Sequence, residues 1–336
     1  MSRTKPTLLA PLLIALALML SACGGSSNDL VLYSGQHEQT TVLLVKAFEK
    51  QSGIKVQIRS ADEASLGNQI EQEGSNSPAD VFYAENTPVL EALAAKSILS
   101  PVAPSTLSAV PARFSSATGH WVGVSARVSA LVYNTAKLQP SALPGSILEL
   151  ASPRWKGKVG FAPSETDFQP LVTAIIKLKG KTAAETWLKG LQAGGTVYSD
   201  NESVVTQVNN GQSWIGPVNH YYWYRLQKEQ GAGGTHSALH YFDAGDPGDL
   251  VDVSGAAILK SSSHQAEAQK LLAFLVSKEG QEILAHSDSY EYPLRPGVSP
   301  AAGLTPLARF KANSLTPAEL GDGSEALAME QRLGLL

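Results

Sequence analysis

From Leu30 onward, short apolar runs alternate with stretches of helical spacing. Leu30-Val31-Leu32-Tyr33, bounded by Ser34-Gly35, predicts a buried strand. Val42, Val45 and Phe48, with Leu44 alongside, predict a helix over residues 39–51 closed by Gly53. Alternation over 54–59 predicts a second strand, Leu66 and Ile70 a second helix stopping by Gly74, and 78–83 a third strand. Thr87 is expected to cap a third helix with Pro88 in its first position. This β-α-β-α-β-α order predicts a parallel sheet with helical crossovers. Such sheets bind ligands beyond the carboxyl ends of their strands, so His37 and Glu85, in the first and third loops there, should share one rim. The middle of the chain repeats the style. Pro140, Pro144 and Pro153 punctuate a loop-rich stretch, followed by a strand at 158–162, helices at 171–179, 183–191 and 203–209, and a strand at 214–218. A helix then opens at Asn219, which puts Tyr221 and Tyr222 at another strand-to-helix junction. Two α/β lobes facing each other would bring these rims together across a cleft.

Length and composition narrow the function. The chain has 336 residues, room for roughly two domains. It is 43% hydrophobic and 17% charged with a net charge of −4, which excludes disorder and argues against a nucleic-acid partner. A single cysteine excludes a disulfide framework and a Cys-rich zinc site. Arg3 and Lys5 precede a 13-residue apolar run from Leu8 to Leu20, interrupted only by Pro11. A membrane span needs about 18–20 such residues, so 1–22 reads as a secretion signal. Leu20-Ser21-Ala22-Cys23 resembles the bacterial lipobox, in which the cysteine takes lipid and becomes the mature N-terminus. An ordinary cleavage site beside an incidental cysteine is the other reading. Residues 23–29 are then the lipidated Cys23 and a flexible tether. The expected product is exported, soluble and lipid-anchored at the outer face of the cytoplasmic membrane, at a cell surface or in a periplasm.

An imidazole, a carboxylate and two adjacent phenols make a hard, oxygen-rich site. Phenolate is an uncommon ligand because tyrosine titrates near pH 10, and a trivalent hard ion such as Fe(III) displaces that proton best. Without thiolate or thioether clusters, soft metals are disfavoured. Taken singly, Tyr221-Tyr222 also reads as an aromatic helix start packed in a core, and His37 as a helix-start histidine. Gly180-Lys181-Thr182 echoes a P-loop ending, but Ile175 stands where glycine is needed. His236 and His240 have i, i+4 spacing but no evident third ligand. No motif supports an enzyme.

Gly35-Gln36-His37, residues 77–85, Asn219-His220-Tyr221-Tyr222-Trp223, Asp246-Pro247-Gly248, Ser254-Gly255-Ala256-Ala257, Leu259-Lys260-Ser261-Ser262 and Glu291-Tyr292-Pro293-Leu294 resemble, in order, the ferric-ion-binding proteins of bacterial iron ABC transporters. The resemblance implies a two-lobed type II periplasmic-binding-protein fold with Fe(III) held between the lobes. By position it implies His37, Glu85, Tyr221 and Tyr222 as ligands, often completed by a synergistic anion such as phosphate or carbonate. Asn86, Asn201 and Asn219 fall where such relatives contact the anion, and Arg127 aligns with an arginine near the cleft. The chain departs from phosphate-using relatives at Glu165-Thr166-Asp167, where a small loop is usual. Two carboxylates repel an anion. Either Glu165 or Asp167 replaces it as a ligand, the anion is smaller, or both side chains face solvent or cap the next helix. The expected lobes are 30–128 plus 252–303 and 129–251 plus 304–336, hinged near 125–130 and 249–254. The expected protein is a monomer served by ABC permease and ATPase subunits. The competing reading keeps the fold and binds a small organic solute, such as a phosphonate, polyamine or thiamine-like molecule.

Overall fold

The computed structural model describes residues 29–310 and 315–336. The export signal expected at 1–22 and Cys23 lie outside the described residues. The opening alternation is realised as β1 (Leu30–Ser34), α1 (Glu38–Ser52), β2 (Val56–Ser60), α2 (Glu63–Glu73), β3 (Val81–Ala84) and α3 (Thr87–Ala95). Asp62 caps α2 by accepting from Ser65 N–H, and Gly53 ends α1 in the left-handed conformation that glycine adopts without steric cost. The expected cap at Thr87 is displaced by one: Asn86 holds the cap position and Thr87 is the first helical residue.

β4 (Leu99–Ser100) and α4 (Pro104–Leu107) lead into β5 (Trp121–Asn134), a 14-residue strand buried throughout. β6 (Gly160–Phe161), α5 (Phe168–Lys179), α6 (Lys181–Gly194), β7 (Thr196–Val197), α7 (Asn201–Asn209), β8 (Ile215–Asn219) and α8 (His220–Gly234) follow. β9 (Ser237–His240) and β10 (Val251–Leu259) return the chain, and α9 (Gln265–Leu275), α10 (Lys278–Ala285), β11 (Tyr292–Pro293), α11 (Pro317–Leu320) and α12 (Ser324–Arg332) complete it. No described helix is long and apolar enough to cross a membrane.

The sheet order is β11-β5-β10-β3-β1-β2, with β4 beside β10, and with β8 and β9 beside the far half of β5. Only the β1–β2 and β1–β3 pairs of this sheet are parallel. The three strands of the opening β-α-β-α-β-α unit are thus parallel as expected, and the rest of the sheet is not: β10 runs antiparallel to both β3 and β5. The reason is the return path. β5 carries the chain out of the first core and β10 brings it back, so the two must run in opposite senses.

Three apolar clusters form around these strands. One gathers Leu32, Phe48, Phe82, Trp121, Val124 and Val128 with Val253, Ile258 and Leu272. A second gathers Leu131, Trp155, Phe161, Trp187, Ile215 and Leu250, and a third Val132, Val204, Val218, Tyr221 and Tyr222. β5 spans about 45 Å at the usual rise, enough to serve both ends. The passage between them falls at Val128–Ser129, where Ser129 N–H donates to Leu250 C=O at 2.9 Å. Leu304, Leu307 and Phe310 pack with the first cluster, whereas Leu315 and Leu320 pack with the second.

Gly123 lies in β5 where a Cβ would come within 2.1 Å of the Phe114 carbonyl oxygen. Gly123→Ala is expected to destabilise the fold by about 1–3 kcal/mol through overpacking. Urea unfolding measures this, and an unchanged midpoint contradicts the packing described.

Candidate metal centre

Each expected ligand sits where an element begins or ends. β1 runs out at Ser34, and Gly35 passes so close to Glu63 that a Cβ would lie 2.4 Å from the Glu63 Cβ. His37 then occupies the cap position of α1, its backbone N–H held by Gln36 Oε1 at 2.7 Å. β3 ends at Ala84 and delivers Glu85 and Asn86. The buried Glu63 carboxylate takes the Asn86 backbone and side-chain N–H groups, each at 2.7 Å, which locks that loop. Tyr221 and Tyr222 lie in the first turn of α8, with ring centroids 4.1 Å apart. Asp167 precedes α5 but caps nothing there.

These groups converge from both sides of the strand passage. The Tyr221 hydroxyl lies 2.9 Å from Glu85 Oε1 and 3.1 Å from Asp167 Oδ2, and Tyr222 O–H donates to the same Asp167 oxygen at 3.1 Å. Having one proton, Tyr221 donates to one carboxylate at a time. His37 Nε2 is 3.7 Å from Glu85 Oε1, and its ring meets Tyr221 edge-on at 5.1 Å. Among the described residues, His37, Glu85 and Glu291 each offer a ligand atom within 4.8 Å of the others.

Burial and charge set the protonation. Burial, with Asp167 and Glu85 nearby, holds both phenols well above their ordinary pKa. Burial, reinforced by Asp167 against His37 and Arg127, lifts Glu85. Burial pulls His37 down, but Glu85 and Glu291 outweigh it and its pKa rises. Burial would lift Glu291 too, yet His37, Arg127 and Ser125 hold it down at about 2. Asp167 Oδ1, His37 Nδ1 and Glu291 Oε1 are buried without a hydrogen-bond partner among the described residues. A hard cation suits that donor set.

The remaining candidates separate. Asp167 joins the cluster, with Asn201 Nδ2 reaching it at 3.4 Å, so the expectation that both loop carboxylates face solvent or cap α5 is corrected. Thr166 Oγ1 accepts from Asn86 Nδ2 at 3.3 Å across the passage. Glu165 is half-buried, makes no side-chain hydrogen bond or ion pair among the described residues, and is raised to about 8 by burial with Asp167 and Glu202. Asn219 is buried at the start of α8 without a side-chain capping bond. Arg127 is fully buried. Its guanidinium donates to Glu85 C=O and Asn86 Oδ1 and lies 3.5, 3.7 and 3.9 Å from Asp252, Asp167 and Glu291. Glu291 and Asp252 were not among the expected site residues. The Glu291-Tyr292-Pro293-Leu294 stretch marked the family resemblance, but nothing local ties its carboxylate to a histidine far earlier in the chain.

A family profile described as bacterial extracellular solute-binding protein matches residues 76–311. The chain belongs to that family. Among curated relatives, the major ferric iron-binding protein of Neisseria meningitidis serogroup B is 39% identical over 325 residues, covering 95% of this chain and 97% of its own. The Fe(3+)-binding periplasmic protein of Serratia marcescens is 36% identical over 332 residues, covering 98% of each chain. Iron-bound HitA from Pseudomonas aeruginosa superposes with a TM-score of 0.87 at 45% identity, covering 91% of this solute-binding protein and 99% of HitA. The resemblance drawn from the sequence motifs is to the same group.

A hard trivalent ion seated here must displace the phenolic protons. Ga(III) is expected to produce a tyrosinate difference band in the ultraviolet, with about half the amplitude in Tyr222→Phe. Zn(II) should leave the spectrum flat, and a band unchanged in the variant contradicts a role for Tyr222.

Proposed function

We propose that this solute-binding protein captures ferric iron between its lobes and hands it to an ABC permease for uptake. The observation that carries the reading is the convergence of His37 and Glu85 with Tyr221 and Tyr222, from opposite sides of the strand passage. Relatives named for ferric iron, covering nearly the whole chain, support it. The mechanism is capture rather than turnover. Ferric ion is the cargo; His37 and Glu85 offer it one rim, Tyr221 and Tyr222 the other. An ion touching both rims only when they are close favours closure, and the permease reads the closed form. The hinge we assign is the pair of strand crossings at Val128–Ser129 and Leu250–Val251. Lipid on Cys23 would keep the loaded, monomeric protein near the permease.

Asp167 is the fifth ligand in this proposal, standing where relatives often use an exogenous anion. Its Oδ2 already takes both phenolic hydroxyls, and its buried Oδ1 has no hydrogen-bond partner among the described residues. Glu165, half-buried and off the cluster, is left out.

Visible absorption of the purified mature protein tests both parts. After chelator stripping, ferric ion supplied on a weak chelator should give a red phenolate-to-iron band that fades or shifts in Tyr222→Phe. Removing phosphate and carbonate should leave binding intact, while Asp167→Asn should weaken it by more than about tenfold. No band with anions supplied sinks the ferric reading, and strict dependence on either anion sinks the role of Asp167.

A further inference from the structure

The Nδ1 edge of His37 meets the buried carboxylate of Glu291, which also lies 3.9 Å from Arg127. We infer that Glu291 is a positioning residue: it accepts the Nδ1–H of His37 and so leaves the Nε2 lone pair facing the cargo ion. The inference rests on the ferric reading above.

A neutral imidazole carries one proton, and a fixed acceptor at one nitrogen decides which. Nδ1 of His37 lies 3.4 Å from Glu291 Oε1, while Nε2 faces Glu85 Oε1 at 3.7 Å. Both Nδ1 and Oε1 are buried without another hydrogen-bond partner among the described residues, so two unsatisfied atoms confront each other. A distance of 3.4 Å is long for a hydrogen bond, and a small ring rotation closes it. The other oxygen of Glu291 is occupied. Oε2 accepts from Ser125 Oγ, itself bonded to Ser254 Oγ, and from Gln36 Nε2 at 3.3 Å. Gln36 also accepts the His37 backbone N–H, so one side chain ties the backbone of the histidine to its carboxylate.

The turn that delivers Glu291 is held just as firmly. Tyr290 has a φ of 55°, unusual for a bulky non-glycine residue. Such a conformation persists where the surroundings over-determine it. Here His220 Nε2 donates to the Tyr290 carbonyl at 2.9 Å while its Nδ1 accepts from Val128 N–H at 3.2 Å. Ser289 Oγ accepts the Glu291 backbone N–H at 3.2 Å. Glu291 lies close enough to His37 and Glu85 for a ligand atom of each to fall within 4.8 Å of the others, but its oxygens are turned to His37 Nδ1, Ser125 and Gln36, and it shares no hydrogen bond with Tyr221, Tyr222 or Asp167.

Nitrogen-15 NMR of the metal-free mature protein reads the tautomer directly and needs no variant. At a pH high enough to leave His37 neutral, the proton should sit on Nδ1, and a proton on Nε2 alone overturns the inference. In Glu291→Gln the ferric charge-transfer band should persist while affinity, by citrate competition, falls about 10–100-fold, the usual cost of losing a support behind a metal-bound histidine. In a His37→Ala background the same change should cost nothing further. An equal loss there means that Glu291 acts independently of His37 and overturns the inference. A wild-type protein lacking the band would instead sink the ferric reading, with the tautomer measurement still standing on its own.

Discussion

Four carboxylates, from Glu85, Asp167, Asp252 and Glu291, crowd one guanidinium where the chain passes between its cores. That excess of buried negative charge is the constraint to which the rest of the site answers. A like-charge pair about 4 Å apart costs about 4 kcal/mol at the effective dielectric of a protein. A few such pairs rival the whole stability of a domain, about 5–15 kcal/mol. Protons carry part of the load: Glu85 is lifted, His37 is made more basic, and both tyrosines keep their hydroxyl hydrogens. Those protons are what a cation of high charge can replace. Arg127 cannot discharge the site alone, because it is already shared among Asp252, Asp167 and Glu291.

The position of that charge follows from the two long strands. Arg127 on β5 sits directly opposite Asp252 on β10, one residue before the register reaches Val128 and Val251. The hub is thus built into the crossing, and it moves little if the lobes rotate about it. His37, Glu85 and Glu291 flank the first apolar cluster, while Asp167, Tyr221 and Tyr222 flank the others. A charge imbalance split this way separates when the cleft opens and concentrates when it closes. In the proposed closure, the same carboxylates that welcome a cation would oppose closing without one, which would make the cargo the switch.

Much of this was legible in the chain. The alternation from Leu30 to Ala95 marked strands and helices within a few residues, and with them the positions of His37 and Glu85 just past two strand ends. His37, Glu85, Tyr221 and Tyr222 are readable because they sit at junctions where one hydrophobic period gives way to another. β5 was not readable as one strand: its residues are buried on every side, so no alternation marks its length. The choice between Glu165 and Asp167 also escaped, because they share one short turn and only tertiary packing turns one inward. Glu291 was hidden for a third reason. Its partners, Gln36, His37 and Ser125, come from distant segments, and no local spacing encodes a contact made by topology.

The proton load also bears on selectivity. Ionising an ordinary tyrosine at pH 7 costs about 4 kcal/mol, and two cost about 8 kcal/mol. Burial beside Asp167 and Glu85 raises that cost for Tyr221 and Tyr222. An ion that seats here recovers the cost only through its attraction to two phenolates and the surrounding carboxylates, and this scales with its charge. Divalent ions of similar size recover less for each displaced proton. Soft ions gain little from oxygen donors. In the proposed site, the carboxylates and the phenols that resist ionisation would act together as a charge filter, passing the ion strong enough to pull off two protons and bring the rims together.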